Sequence, residues 1–158
     1  MSDAMQLYQS LVLDHNRSPR GLGRLMSPTH EAEGFNPICG DRVTLTINAR
    51  NNTVVKVGFL AESCALCRAS ASVLVDTIEG VNVERAKELS QSFASMLSGG
   101  RWELGGDASV FSVVQGFPAR AKCVLLPWKT FQAAMEKPFV GGHVKAPVLV
   151  TTEPEVKG

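Results

Sequence analysis

The sequence predicts an α+β fold, a small antiparallel three-stranded sheet packed by about five helices. Three observations carry this expectation. Val43, Leu45 and Ile47 alternate with Thr44, Thr46 and Asn48, the period of a half-buried strand. A turn-like Arg50-Asn51-Asn52-Thr53 leads to a second alternation, Val55, Val57 and Phe59, so the two runs form a hairpin. Apolar residues at helical spacing recur in separate stretches before and after it.

In chain order, residues 5–15 read as a first helix, with Met5, Tyr8, Leu11 and Val12 at helical spacing and Asp3 as its cap. Tyr8 and Asp14-His15-Asn16 are either partner contacts or a buried tyrosine and a polar helix end. Residues 31–35 supply the third strand. A second helix opens at Ser63-Cys64-Ala65-Leu66-Cys67, capped by Ser63 and buried through Ala71, Leu74, Val75 and Ile78. Asn82 caps a third, with Val83, Ala86, Leu89, Phe93 and Leu97 inward. Val110, Val113 and Val114 mark a short helix ending at Gly116-Phe117-Pro118. Pro127 fits the first turn of a last helix running to about Met135, which sets Cys123 just before its start. Residues 1–137 are expected as one domain and 138–158 as an extended C-terminal tail.

The bulk numbers exclude several classes of function. At 158 residues the chain is the size of one domain. Its formal net charge is +1, from 16 basic and 15 acidic residues, which gives no electrostatic case for nucleic acid or an anionic membrane. No apolar run approaches a membrane span, and the N-terminal stretch lacks a signal-type apolar core. A cytoplasmic location is therefore expected, where four cysteines read as metal ligands or reactive thiols rather than disulfides.

The chemistry centres on Pro37-Ile38-Cys39-Gly40-Asp41. A thiol and a carboxylate flank a glycine that lets the backbone bend tightly. Both groups ligate zinc, and thiolates also hold iron–sulfur clusters. Cys39, Asp41, Cys64 and Cys123 are expected to converge on one metal or sulfur-handling site; the hairpin itself returns Cys64 to the neighbourhood of Cys39 and Asp41. Cys64, at a helix start, is favoured as thiolate by the dipole and unpaired N–H groups. Spacing alone leaves Cys64-x-x-Cys67 open between half a zinc site, a redox pair and two core thiols. Arg120 and Lys122 flank Cys123 as thiolate-stabilising, partner-binding or solvated charges. His15, His30 and His143 are scattered and read as ordinary surface or cap histidines.

Taken together, several blocks resemble the IscU/NifU family of iron–sulfur cluster assembly proteins, and its SufU branch in particular. They are Leu7-Tyr8-Gln9, Leu13-Asp14-His15-Asn16-Arg17-Ser18-Pro19-Arg20, Glu33-Gly34-Phe35-Asn36-Pro37-Ile38-Cys39-Gly40-Asp41, Ser63-Cys64-Ala65-Leu66 with Ala69-Ser70-Ala71-Ser72, and Phe117-Pro118-Ala119-Arg120-Ala121-Lys122-Cys123. The glycine-rich stretch at 99–106 is similar to the insertion of that branch, and Lys122 stands where IscU scaffolds carry a histidine. The resemblance implies one Zn²⁺ on Cys39, Asp41, Cys64 and Cys123. It also implies that Cys39 accepts persulfide sulfur from a SufS-type cysteine desulfurase, with Arg120 supporting the exchange. Two alternatives remain. One is a scaffold on which iron, or a transient [2Fe–2S] cluster, is assembled for delivery to apoproteins or a downstream scaffold; the other is a structural zinc module that docks partners. The family usually has a non-thiol residue where this chain has Cys67, which makes Cys67 an auxiliary thiol or a further ligand. Nothing near the cysteines reads as the general base of a hydrolytic zinc enzyme.

Overall fold

The computed structural model describes residues 2–136 and 148–150. Helix α1 (Asp3–Arg17) is capped by Ser2, whose hydroxyl accepts the Met5 N–H at 3.2 Å, and not by Asp3. Asp3 lies in the first turn instead, where its charge faces the positive end of the helix. Tyr8, Leu11 and His15 form the buried stripe of α1, with Met5 and Val12 half-buried beside it.

Strands β1 (His30–Asn36), β2 (Asp41–Arg50) and β3 (Thr53–Glu62) form the expected antiparallel sheet. The β2–β3 turn is Asn51-Asn52, with φ of +52° and +60°. Positive φ at both positions matches the twist of the flanking strands, and asparagine is among the few side chains that tolerate it. A bulge follows: Asn48 pairs with Lys56, but Ala49 pairs with Val54. Val55 is the extra residue. Val54 is buried and Val55 is 46% exposed, the reverse of what simple alternation from Val57 and Phe59 predicts. A fourth strand, β4 (Val148–Val150), adds to β1 in parallel and gives the order β3-β2-β1-β4. Part of the expected tail is therefore sheet; the rest of that expectation lies outside the described residues. On the other edge, residues 21–23 bond to β3: Phe59 N–H reaches Gly21 O and Gly23 N–H reaches Phe59 O, each at 2.8 Å. An exposed edge is covered in this way.

Helix α2 (Ala65–Ile78) is capped by Cys64, not by Ser63, whose hydroxyl turns to the Cys64 carbonyl instead. Helix α3 (Val83–Leu97) has the expected cap, Asn82 Oδ1 accepting the Glu84 N–H at 2.9 Å, and the expected stripe. A 3₁₀ segment (Asp107–Gly116) precedes α4 (Pro118–Glu136). That last helix starts at Pro118, nine residues before Pro127 (127 − 118), so Cys123 sits inside it, not before it. Proline fits a first helical position because its missing N–H would be unpaired there anyway. Pro127 lies in the middle of α4, where it gives no N–H to the carbonyl of Cys123 four residues back.

Helix α4 lies along β1 and β2, and packs against α2 and α3, while α1 covers α2. Phe93 stacks on Trp128 with centroids 3.8 Å apart, and Trp102, from the glycine-rich segment, meets both rings edge-on. The approach of α4 to β1 requires Gly34: a Cβ there would run into Thr130 Oγ1 and lie 3.0 Å from Leu126 Cδ1. Gly34→Ala is expected to destabilise the fold by about 1–3 kcal/mol through overpacking. Urea unfolding checks this, and an unchanged midpoint would show that α4 moves away without loss.

Candidate metal centre

The β1–β2 connection is four exposed residues, 37–40, closed by the pair Asn36 and Asp41. Two features fix its shape. Gly40 takes φ of +70° and sends its N–H to Asn36 O at 2.8 Å, while Asn36 Oδ1 accepts the Ile38 N–H at 3.2 Å. Asparagine before proline commonly makes such a side-chain turn. Cys39 is thereby held out on the loop and Asp41 is drawn in, the first exposed and the second buried.

Asp41 meets the start of α2. Its Oδ1 accepts the Cys64 N–H at 2.9 Å, and its Oδ2 lies 3.4 Å from Cys64 Sγ. From α4, Cys123 brings its Sγ to 3.6 Å from Cys39 Sγ. Ligand atoms of Cys39, Asp41 and Cys123 all lie within 4.8 Å of one another, forming the one such group among the described residues. Zinc bonds of 2.0–2.3 Å place tetrahedral donors roughly 3.3–3.8 Å apart, so a slight closure of this group suits a metal ion. Two sulfurs and a carboxylate are also a zinc-type donor set, and Cys64 stands beside them through Asp41.

The remaining residues singled out from sequence are placed differently. Cys67 lies outside that donor group and is fully buried on α2, its backbone N–H reaching Cys64 Sγ at 3.5 Å. Arg120 is exposed, with its guanidinium carbon 4.9 Å from the centre of the Phe117 ring. His15 is not a surface or cap histidine: it is buried, with Nδ1 2.6 Å from Ser72 Oγ and Nε2 2.8 Å from Asp107 Oδ2. His30 is half-buried beside Thr29, and His143 lies outside the described residues. Two neighbours of the site were not picked out as site residues. Tyr8 is buried with its hydroxyl within electrostatic range of Arg120, Cys64 and Cys123, and burial above all raises its pKa, so it stays a neutral phenol. Asn36 Nδ2 is the one buried side-chain polar atom without a hydrogen-bond partner among the described residues. Asn-Pro ahead of a cysteine was the available signal for Asn36.

The thiols differ in character. Cys64 is pulled down to about 7, first by a hydrogen bond from Cys123 and then by the Cys67 N–H, against burial and the Asp41 carboxylate. Cys123 is pushed up because it holds the shared proton and is partly desolvated. Burial raises Cys67 strongly.

The model of the NifU-like N-terminal domain matches residues 7–137. The chain is 33% identical over 134 residues to the zinc-dependent sulfurtransferase SufU of Bacillus subtilis, covering 83% of this chain and 90% of that one. It is 32% identical over 133 residues to the iron–sulfur cluster assembly scaffold protein IscU of Thermotoga maritima, covering 83% and 94%. Its fold superposes with a TM-score of 0.77 on a putative SUF-system scaffold protein from Fervidobacterium islandicum, 30% identical, over 85% of this chain and 99% of that one.

A consequence of the thiol electrostatics is testable in metal-free protein. A lowered pKa means that the thiolate persists to lower pH, so alkylation of Cys64 by iodoacetamide is expected to reach half its limiting rate near pH 7. An ordinary thiol does so near 8.5. Peptide mapping after timed alkylation checks this. A midpoint at or above 8.5 would remove the assigned hydrogen bonding.

Proposed function

The chain belongs to the family of NifU-like N-terminal domains, and on that premise we propose that it is a zinc-dependent sulfur relay in iron–sulfur cluster assembly. Cys39 accepts persulfide sulfur from a SufS-type cysteine desulfurase. The observation that carries this reading is the arrangement of Cys39: exposed on a loop tip, yet in one donor group with buried Asp41 and Cys123. An acceptor must be reached by another protein's persulfide, and its reactivity depends on thiolate fraction and access. The similarity to the Bacillus sulfurtransferase supports the same reading.

Cys39, Asp41, Cys64 and Cys123 would hold Zn²⁺. Bound zinc keeps coordinating thiols deprotonated at neutral pH. The protein's own groups do the rest. Asp41, anchored by the Cys64 N–H, offers its second oxygen as a hard donor that exchanges more readily than sulfur. The Asn36 turn and Gly40 present Cys39 outward. The neutral Tyr8 adds no charge beside the sulfurs, and Arg120, on the solvent side of α4, is placed to meet an anionic persulfide. No helix among the described residues is long and apolar enough to cross a membrane, and the relay in this reading runs between proteins in the cytoplasm.

A second reading is a cluster scaffold, favoured by the similarity to the Thermotoga IscU. Metal content separates the two. Protein purified without oxygen is expected to hold about one zinc per chain with little iron or acid-labile sulfide; iron and sulfide in equal amounts would favour the scaffold. For the relay itself, Cys39→Ser is expected to abolish sulfur acceptance and desulfurase stimulation while leaving the fold intact, because its side chain is exposed. Undiminished stimulation by that variant would defeat the assignment.

A further inference from the structure

Cys64 and Cys67 have no joint task in the relay, yet the fold pairs them. Cys64 caps α2 with extended backbone (φ −67°, ψ 165°), so its side chain folds back over the first helical turn. Cys67 lies in that turn, and its N–H meets Cys64 Sγ at 3.5 Å. Side chains three positions apart on a helix are neighbours at about 5–6 Å between Cβ atoms, and a disulfide needs about 3.5–4.5 Å, so the pair joins by a shift of the cap residue Cys64, whose extended backbone lies outside the helix. The two thiols are unequal in access. Cys64 is exposed beside the donor group, whereas Cys67 is fully buried and reachable from Cys64 rather than from solvent.

We propose that Cys64 and Cys67 are a resolving dithiol that reduces the delivered sulfur and releases it as sulfide. The inference rests on the sulfur-relay reading and adds a step to it. A persulfide's outer sulfur is at the level of elemental sulfur and needs two electrons to become sulfide; two thiols forming a disulfide supply them. The Cys64 thiolate attacks the outer sulfur of the Cys39 persulfide, the S–S bond to Cys39 breaks, and Cys39 leaves as thiolate. Cys67 then attacks Cys64 Sγ. A Cys64–Cys67 bond forms, the bond from Cys64 Sγ to the outer sulfur breaks, and hydrosulfide departs with the Cys67 proton. Sulfur is reduced, the two cysteines are oxidised, and atoms and electrons balance. A dithiol reductant restores the pair for another round.

The alternative couple, Cys39 and Cys123, has its sulfurs 3.6 Å apart. Both belong to the three-donor group, so joining them would dismantle it. Oxidising Cys64 with Cys67 withdraws one of the four proposed zinc ligands but leaves Cys39, Asp41 and Cys123, whose donor atoms lie within 4.8 Å of one another, in place. Hence the pair on α2 is assigned to the redox step and the group on the loop and α4 to capture.

The test uses the full chain with its bound metal, loaded without oxygen with stoichiometric glutathione persulfide and then desalted. Sulfide is measured by methylene blue formation, and cysteine states by alkylation and peptide mass. The wild-type chain is expected to release about one sulfide per sulfur bound and to show a Cys64–Cys67 disulfide. In Cys67→Ser the sulfur should stay on the protein as persulfide, with sulfide release down about tenfold. Cys67→Ala, verified as folded by circular dichroism, should behave like Cys67→Ser. Equal release from wild type and both variants, or a disulfide between Cys39 and Cys123, would overturn the inference. Persulfide retained equally by all three would overturn it while leaving sulfur capture intact. Failure of every form to take up sulfur would overturn the relay reading as well.

Discussion

The carboxylate of Asp41 joins the sheet to the helical layer at the point where the chemistry sits. One oxygen receives the first N–H of the α2 cap; the other faces the sulfur of Cys64. A buried carboxylate left without partners costs several kcal/mol, so the fold must bring the start of β2 to the start of α2. Antiparallel pairing makes this possible: Arg42 lies opposite Glu62, and the chain leaves β3 directly toward Cys64. Position and chemistry are therefore set by the same bond. The residue that closes the loop bearing Cys39 also anchors the helix bearing Cys64.

Around that bond the molecule divides reactive groups by access. The loop tip and the helix cap carry exposed thiols, and α2 and α4 carry buried ones. Proximity to other sulfurs, N–H donors and apolar walls then pushes their acidities apart. A sulfur-handling protein benefits from such a gradient. One thiol must be met by a partner protein, while others must be reached only from within.

Much of the sheet was legible because Val43, Leu45 and Ile47 keep a strict period of two, and the Asn51-Asn52 turn suits only a tight hairpin. Helix stripes such as Val83 to Leu97 were equally plain. The misreadings have local physical causes. Val55 was read inward because a bulge inserts one residue without altering composition. Pro127 was read as a helix start because proline usually marks one, yet α4 tolerates it inside a buried span that begins at Pro118. Strand β4 pairs with a partner more than a hundred residues away, and no local pattern reports such a pairing. At the site, Cys39 and Asp41 announce themselves by spacing and Cys64 follows from the hairpin. Cys123 was expected with them, but no local pattern reports its approach from α4; the family resemblance implies the same group. His15 was missed as a buried group because its partners, Ser72 and Asp107, are 57 and 92 positions distant.

That last network bears on how such chains vary. His15 on α1 bridges Ser72 on α2 to Asp107, the residue immediately after the glycine-rich segment that also carries Trp102. A buried ring nitrogen stripped of its acceptor costs about 1–3 kcal/mol. Shortening the segment through Asp107 would therefore strand an imidazole in the core fully ninety positions upstream. The glycine-rich segment and the first helix are thus coupled through one imidazole, and a graft that moves one without the other leaves a buried polar group unpaired.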